Sequence, residues 1–224
     1  MMAKALADAG AARVYIVGRR VDVLQQAASL INKPRVVVPL YCDVTSKISL
    51  ESIVSVVEND VGYLNLLVCN AGIGGPQVPA PIPGTTTLEE WRDRQLATDF
   101  DDFTNTFKVN ATSVWYSAMA FLKLLDNGNN QGNVVQSSQV VVTSSIAGFN
   151  KKAPGGWAYG PSKAAATHIA KALSNVLPTW NIRSVFSSSG TFDVGVVVMH
   201  GPSPIHTPPL LYRCWPAQAN TSYN

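Results

Sequence analysis

Short apolar runs alternate along this chain with longer stretches of helical period. Residues 13–17 (RVYIV), 35–40 (RVVVPL), 64–69 (LNLLVC) and 138–143 (SQVVVT) are rich in β-branched residues, as in strands buried on both faces. Helical stretches fall at 20–31, 47–59, 103–126 and 160–177; in the third, Phe103, Phe107, Val114 and Met119 recur at near-helical spacing. This alternation predicts an α/β fold, a doubly wound parallel sheet between two layers of helices. A Gly/Pro-rich loop occupies 73–86, and Thr87 with Glu90 then makes a capping box that opens a short helix. Residues 1–10 read as the back half of a helix closed by Gly10. From Ser184 the rhythm stops: the remaining segment is rich in Ser and Pro and carries one strand-like run, Val194–Met199. The organised domain is expected over 1–183, with 184–224 a tail of uncertain order.

Composition narrows the class. With 46% hydrophobic and only 14% charged residues, the 224-residue chain can bury a substantial core. No apolar run approaches the roughly 18–20 residues that span a bilayer, and the first residues lack a secretory pattern. The net charge of +3 is scattered rather than clustered, which argues against a nucleic-acid or membrane surface. Cys42, Cys69 and Cys214 are too few and too dispersed for a disulfide framework or a zinc site. These features predict a soluble globular protein of a reducing compartment, the cytoplasm.

Candidate chemistry starts with Tyr159-Gly-Pro-Ser-Lys163. Pro161 suits the first turn of a helix, so Tyr159 and Lys163 lie one turn apart on one face. An ammonium so placed favours a phenolate. With seven tyrosines and nine lysines in the chain, such a pair also arises by chance. Upstream, a buried strand runs into Thr143-Ser144-Ser145-Ile146-Ala147-Gly148, which presents a hydroxyl at the carboxyl edge of the sheet or merely satisfies a turn. Asn70-Ala71-Gly72 ends another strand, either a close approach for a ligand or a tight turn. Asp43, followed by Val44, ends a third and is equally suited to cap a helix. Asn110 is a polar residue in an apolar helix, a ligand-handling group or a structural hydrogen bonder.

These five features, in this order, resemble the short-chain dehydrogenase/reductase family over about residues 1–183. The resemblance is specific through the order of independent elements rather than the rarity of any one. It implies a Rossmann-like fold and a catalytic tetrad of Asn110, Ser145, Tyr159 and Lys163. Ser145 matches the family serine better than Ser144 because it directly precedes the x-x-Gly turn. Thirteen residues separate Ser145 from Tyr159, about one more than is usual, and Gly155-Gly156 can absorb the difference. The implied activity is hydride transfer between a nicotinamide and a carbonyl or alcohol, with Tyr159 as acid, Ser145 on the substrate oxygen, and Lys163 on Tyr159 and the ribose. Asn110 would support a proton-relay water. NAD-dependent relatives carry an acid at the end of the strand that here ends in Gly18-Arg19-Arg20. Two guanidinium groups suit a 2′-phosphate, so the implied cofactor is NADP(H), although the pair also reads as exposed arginines that open a helix. Asp43 and Val44 would flank the adenine, and Asn70, Ala71 and Gly72 would line the adenine-ribose side of the cleft. By family analogy the chain forms a homo-oligomer. Within the family it resembles 3-oxoacyl-carrier-protein reductases and reductases of fungal-type secondary metabolism.

The chain departs from the family at both ends. The first strand and its Gly-rich turn, which holds the pyrophosphate, have no counterpart, and Ser184–Asn224 matches none of the family's closing segment. A truncated N-terminus and a divergent tail are therefore expected, as from an altered gene model or splicing. Two readings follow: an NADP(H)-dependent reductase by lineage, or an inactive remnant that acts at most as a binding protein. The 224-residue chain alone is expected to be inactive. The run Val194–Met199 could fill the vacant central slot, which would help folding more than cofactor affinity.

Overall fold

The computed structural model describes residues 2–153, 155–188 and 197–200. In chain order the elements are α1 (Met2–Asp8), β1 (Arg13–Gly18), α2 (Val21–Ile31), β2 (Val37–Tyr41), α3 (Lys47–Asp60) and β3 (Leu66–Cys69). They continue with α4 (Leu88–Leu96), α5 (Phe100–Phe107), α6 (Ser113–Gln131), β4 (Gln139–Thr143), α7 (Tyr159–Val176), β5 (Arg183–Ser187) and β6 (Val197–His200). A π-helical turn, Lys108–Thr112, joins α5 to α6.

The strands form one sheet in the order β2-β1-β6-β3-β4-β5. β1 pairs in parallel with β2, β3 with β4, and β4 with β5. Period-two alternation divides β1 between two cores. Tyr15 and Val17 join the core that holds Leu67, Phe121, Leu124 and Leu173, from β3, α6 and α7. Val14 and Ile16 join the other, with Ala3, Ala7 and Leu24 of α1 and α2. The expected three-layer arrangement is therefore present. β1 and β3 are buried on both faces, whereas β4 alternates between buried and half-buried positions.

Two expectations change. The sheet is mixed rather than wholly parallel, because β6 lies antiparallel between β1 and β3, with Val198 beside Tyr15 on one side and Leu67 on the other. The central slot left open by the sequence is thus occupied by part of the expected run; residues 194–196 lie outside the described residues. The sheet also continues beyond residue 183, because β5 runs to Ser187. β5 was masked in the sequence by Ser184 and Ser187, and the buried Ser184 hydroxyl is satisfied by the Ala170 carbonyl at 3.1 Å. At the other end, α1 closes as expected, with Gly10 at φ +95°. The Thr87–Glu90 capping box is formed by reciprocal 3.1 Å hydrogen bonds.

Candidate active site

Lys163 lies on the first turns of α7, 4% exposed, and its ammonium donates to the Thr143 carbonyl at 2.8 Å. That carbonyl ends β4, so the lysine reaches the carboxyl edge of the sheet. Burial pulls its pKa down from 10.5 to about 8. The ammonium sits 5.9 Å from the centre of the Tyr159 ring, one helical turn earlier. Helix periodicity thus brings the two together as the sequence predicted.

Asn110 is fully buried at the centre of the π turn. Its Oδ1 accepts from the Ile73 N–H at 2.8 Å, and its Nδ2 donates to the Ile73 carbonyl at 2.8 Å and to Ser162 Oγ at 2.9 Å. Ser162 Oγ donates in turn to the Tyr159 carbonyl at 2.7 Å. The asparagine therefore locks the loop after β3 to the start of α7. Ser162 was not singled out from sequence; its position beside Lys163 and three residues after Tyr159 is the signal that could have found it.

The two serines after β4 have different tasks. Ser144 is buried, donates to the Lys163 carbonyl at 3.2 Å and pairs with the Thr167 hydroxyl, so it fastens the strand to α7. Ser145 caps the 3₁₀ turn Ile146–Gly148 and accepts from the Ala147 N–H at 3.2 Å, which leaves its own proton for another partner. The turn packs tightly on α7: a Cβ on Gly148 would lie 2.8 Å from the Ala164 nitrogen.

At the end of β3, Asn70 accepts from the Thr143 hydroxyl at 2.9 Å. Ala71 is half-buried and Gly72 exposed. A Cβ on Gly72 would come within 3.3 Å of both Asn110 Oδ1 and Lys163 Nζ, so the glycine leaves a small cradle over these groups. Asn70, Ala71, Gly72, Asn110, Tyr159 and Lys163 thus converge at one edge.

Arg19, Arg20, Asp43 and Val44 stand apart, after β1 and β2. Both arginines are exposed, and neither guanidinium lies at ion-pair distance from a carboxylate among the described residues. Burial tends to raise the Asp43 pKa, but hydrogen bonds from the Thr45 N–H and hydroxyl, with the charges of Arg19 and Lys108, hold it below the usual carboxylate value. Asp43 shapes this turn, while the cap of α3 is Ser46. Val44 is buried in the core. Cys42 and Cys69 are free and buried, and burial pushes the Cys69 thiol up to about 12. No cluster of three metal-binding side chains occurs among the described residues, and none of their helices is long and apolar enough to cross a membrane.

Comparison with known proteins bears on the fold and the family. The sequence pattern of the short chain dehydrogenases matches residues 1–200. The chain is 44% identical over 192 residues to the short-chain dehydrogenase/reductase PhomF of Diaporthe leptostromiformis, covering 86% of this chain and 65% of that protein. Among solved structures, a short-chain type dehydrogenase/reductase from Mycobacterium marinum superposes with a TM-score of 0.67 at 26% identity, over 83% of this chain and 67% of that one. The active-site complex of Pseudomonas aeruginosa RhlG with NADP gives 0.64 at 20% identity, over 80% and 63%. With its Rossmann-like sheet and this pattern spanning both cores, the chain belongs to the short chain dehydrogenase family.

Proposed function

We propose that this chain is an NADP(H)-dependent oxidoreductase that interconverts a carbonyl and a secondary alcohol, with Tyr159 as its proton donor. The family uses nicotinamide cofactors, and the observation that carries the reading is the buried Lys163 ammonium beside Tyr159 and Asn110. That ammonium has three protons and one acceptor, Thr143, among the described residues. A ribose hydroxyl over the Gly72 cradle would supply a further acceptor, so these residues fit the nicotinamide-ribose end of the cofactor. When bound, the cofactor supplies or removes the hydride. Tyr159 then protonates the developing alkoxide, and Ser145 donates a hydrogen bond to the same oxygen. Lys163 favours the phenolate that remains, and Asn110 holds the loop and helix that frame it. The exposed Arg19 and Arg20, without carboxylate partners at ion-pair distance among the described residues, support a 2′-phosphate over a bare ribose.

A second reading, a folded chain that binds the dinucleotide poorly and does not turn over, is favoured by one observation. β6 begins with Val197 at the carboxyl edge and runs away from it, opposite to a strand that leads into a phosphate-holding turn. The deciding experiment is a ketone panel assayed with NADPH up to millimolar concentration. The first reading expects turnover that Tyr159→Phe lowers by about 10²–10⁴-fold with little change in cofactor binding. No turnover, or equal turnover in that variant, would eliminate it.

A further inference from the structure

The segment that leads into α7 is fastened to the loop after β3 at three points. Gln77 Nε2 donates to the Gly155 carbonyl at 2.7 Å, and to the carbonyls of Gly75 at 3.0 Å and Gly74 at 3.3 Å. Gly156 lies so close to this loop that a Cβ on it would sit 2.6 Å from the Pro76 carbonyl oxygen. Trp157 Nε1 donates to the Val78 carbonyl at 3.0 Å, and its ring meets Trp91 edge to face at 5.7 Å.

Gly155 has a second neighbour. A Cβ on it would fall 2.9 Å from Cδ1 of Tyr159, so its bare Cα is packed against the tyrosine ring. Gly155 and Gly156 take φ of +85° and +102°, values L side chains rarely adopt. This pair of left-handed residues turns the chain so that one glycine faces Tyr159 and the next faces Pro76. Two positive-φ glycines have no side-chain packing to fix them, so hydrogen bonds hold the turn: within it the Gly156 N–H donates to the Ala153 carbonyl at 3.1 Å, and the Gly155 carbonyl needs a donor from outside. Gln77 supplies it.

The geometry points to Gln77 as a positioning residue for Tyr159. Its amide holds the Gly155 carbonyl, Gly155 buttresses the phenol ring, and the ring's direction decides where the hydroxyl meets the substrate oxygen. The catalytic part of this inference rests on the proton-donor reading of Tyr159; the buttress itself does not. A displacement near 1 Å costs on the order of 10²-fold in turnover for an oriented group.

The test uses Gln77→Glu, which keeps the length but offers no donor to the carbonyls, and Gln77→Ala, which removes the group without adding charge. The full chain is labelled with 3-fluorotyrosine, and the Tyr159 resonance is assigned by its loss in Tyr159→Phe. Both Gln77 variants are expected to shift or split that resonance while the other tyrosines stay in place. They should lower kcat by about 10–100-fold with KM for NADPH little changed. Gln77→Ala decides the matter if Gln77→Glu fails to fold. An unmoved Tyr159 resonance overturns the inference whether or not the chain turns over. A moved resonance with unchanged kcat in an active chain overturns the catalytic part. A moved resonance in a chain without turnover supports the buttress and counts against the dehydrogenase reading alone.

Discussion

Lys163 holds an ammonium where little water reaches it, and this has a consequence for stability. Its pKa is near 10.5 when solvated and about 8 in the fold, lowered by burial. Between those values the unfolded chain binds more protons, so stability rises with pH across that window. Below pH 8 the full penalty is present, about 3 kcal/mol, and it is gone above roughly pH 10.5. Urea melts of the wild type and Lys163→Met across this range should show the wild type gaining on the variant as pH rises. A difference that stays flat would mean the ammonium is better solvated than its 4% exposure implies. Arg19 offers a complementary test of the proposed NADP(H) preference. Arg19→Ala should weaken NADPH by about 10–150-fold, the worth of one charge-assisted pair near 1.5–3 kcal/mol, and leave NADH almost unaffected. Equal losses in a binding titration would reduce Arg19 to a surface charge.

At the scale of elements, the Ser145 turn and α7 behave as one unit, because Gly148 has no room for a side chain. A Cβ there would meet Ala164 N at 2.8 Å and the Lys163 carbonyl carbon at 2.9 Å, both helix backbone that cannot yield. Gly148→Ala should cost about 1–3 kcal/mol and lower Tm by roughly 2–12 °C. Gly18→Ala, whose Cβ would find only ordinary 3.8 Å contacts to Leu24, should change it little. Equal melts would show that the turn is free to move away from the helix. The strands around this unit were legible because β-branched runs announce burial, and the turn that Ser145 caps was legible through Gly148. The wider π turn at Asn110 was not legible, since apolar spacing near 3.6 does not reveal one extra residue in a turn. Gln77 was invisible for a different reason: its partner is a backbone carbonyl 78 residues away, and backbone carbonyls leave no mark in a sequence.

Across the whole molecule, β6 separates folding from cofactor binding. The run that supplies most of it was visible as strand-forming, but direction was not, because side chains alternate with the same period in parallel and antiparallel strands. By pairing with both β1 and β3, β6 satisfies backbone groups that would otherwise cost about 1–3 kcal/mol each, against a net stability of only about 5–15 kcal/mol. Val198→Pro should therefore remove a central ladder donor, leave its acceptor unpaired at a cost of about 1–3 kcal/mol, and lower Tm by roughly 2–12 °C. An unchanged melt would remove β6 from the centre of the sheet. The same strand leaves the carboxyl edge rather than arriving at it, the reverse of a strand that delivers a helix N-terminus to a pyrophosphate. A cooperative melt is thus expected together with weak NADPH binding, followed by nucleotide fluorescence. Each charge-assisted hydrogen bond missing from the phosphates lowers affinity by about 10–150-fold. Saturation in the micromolar range would mean that other backbone groups cradle the phosphates, and that the reversed strand costs the site nothing.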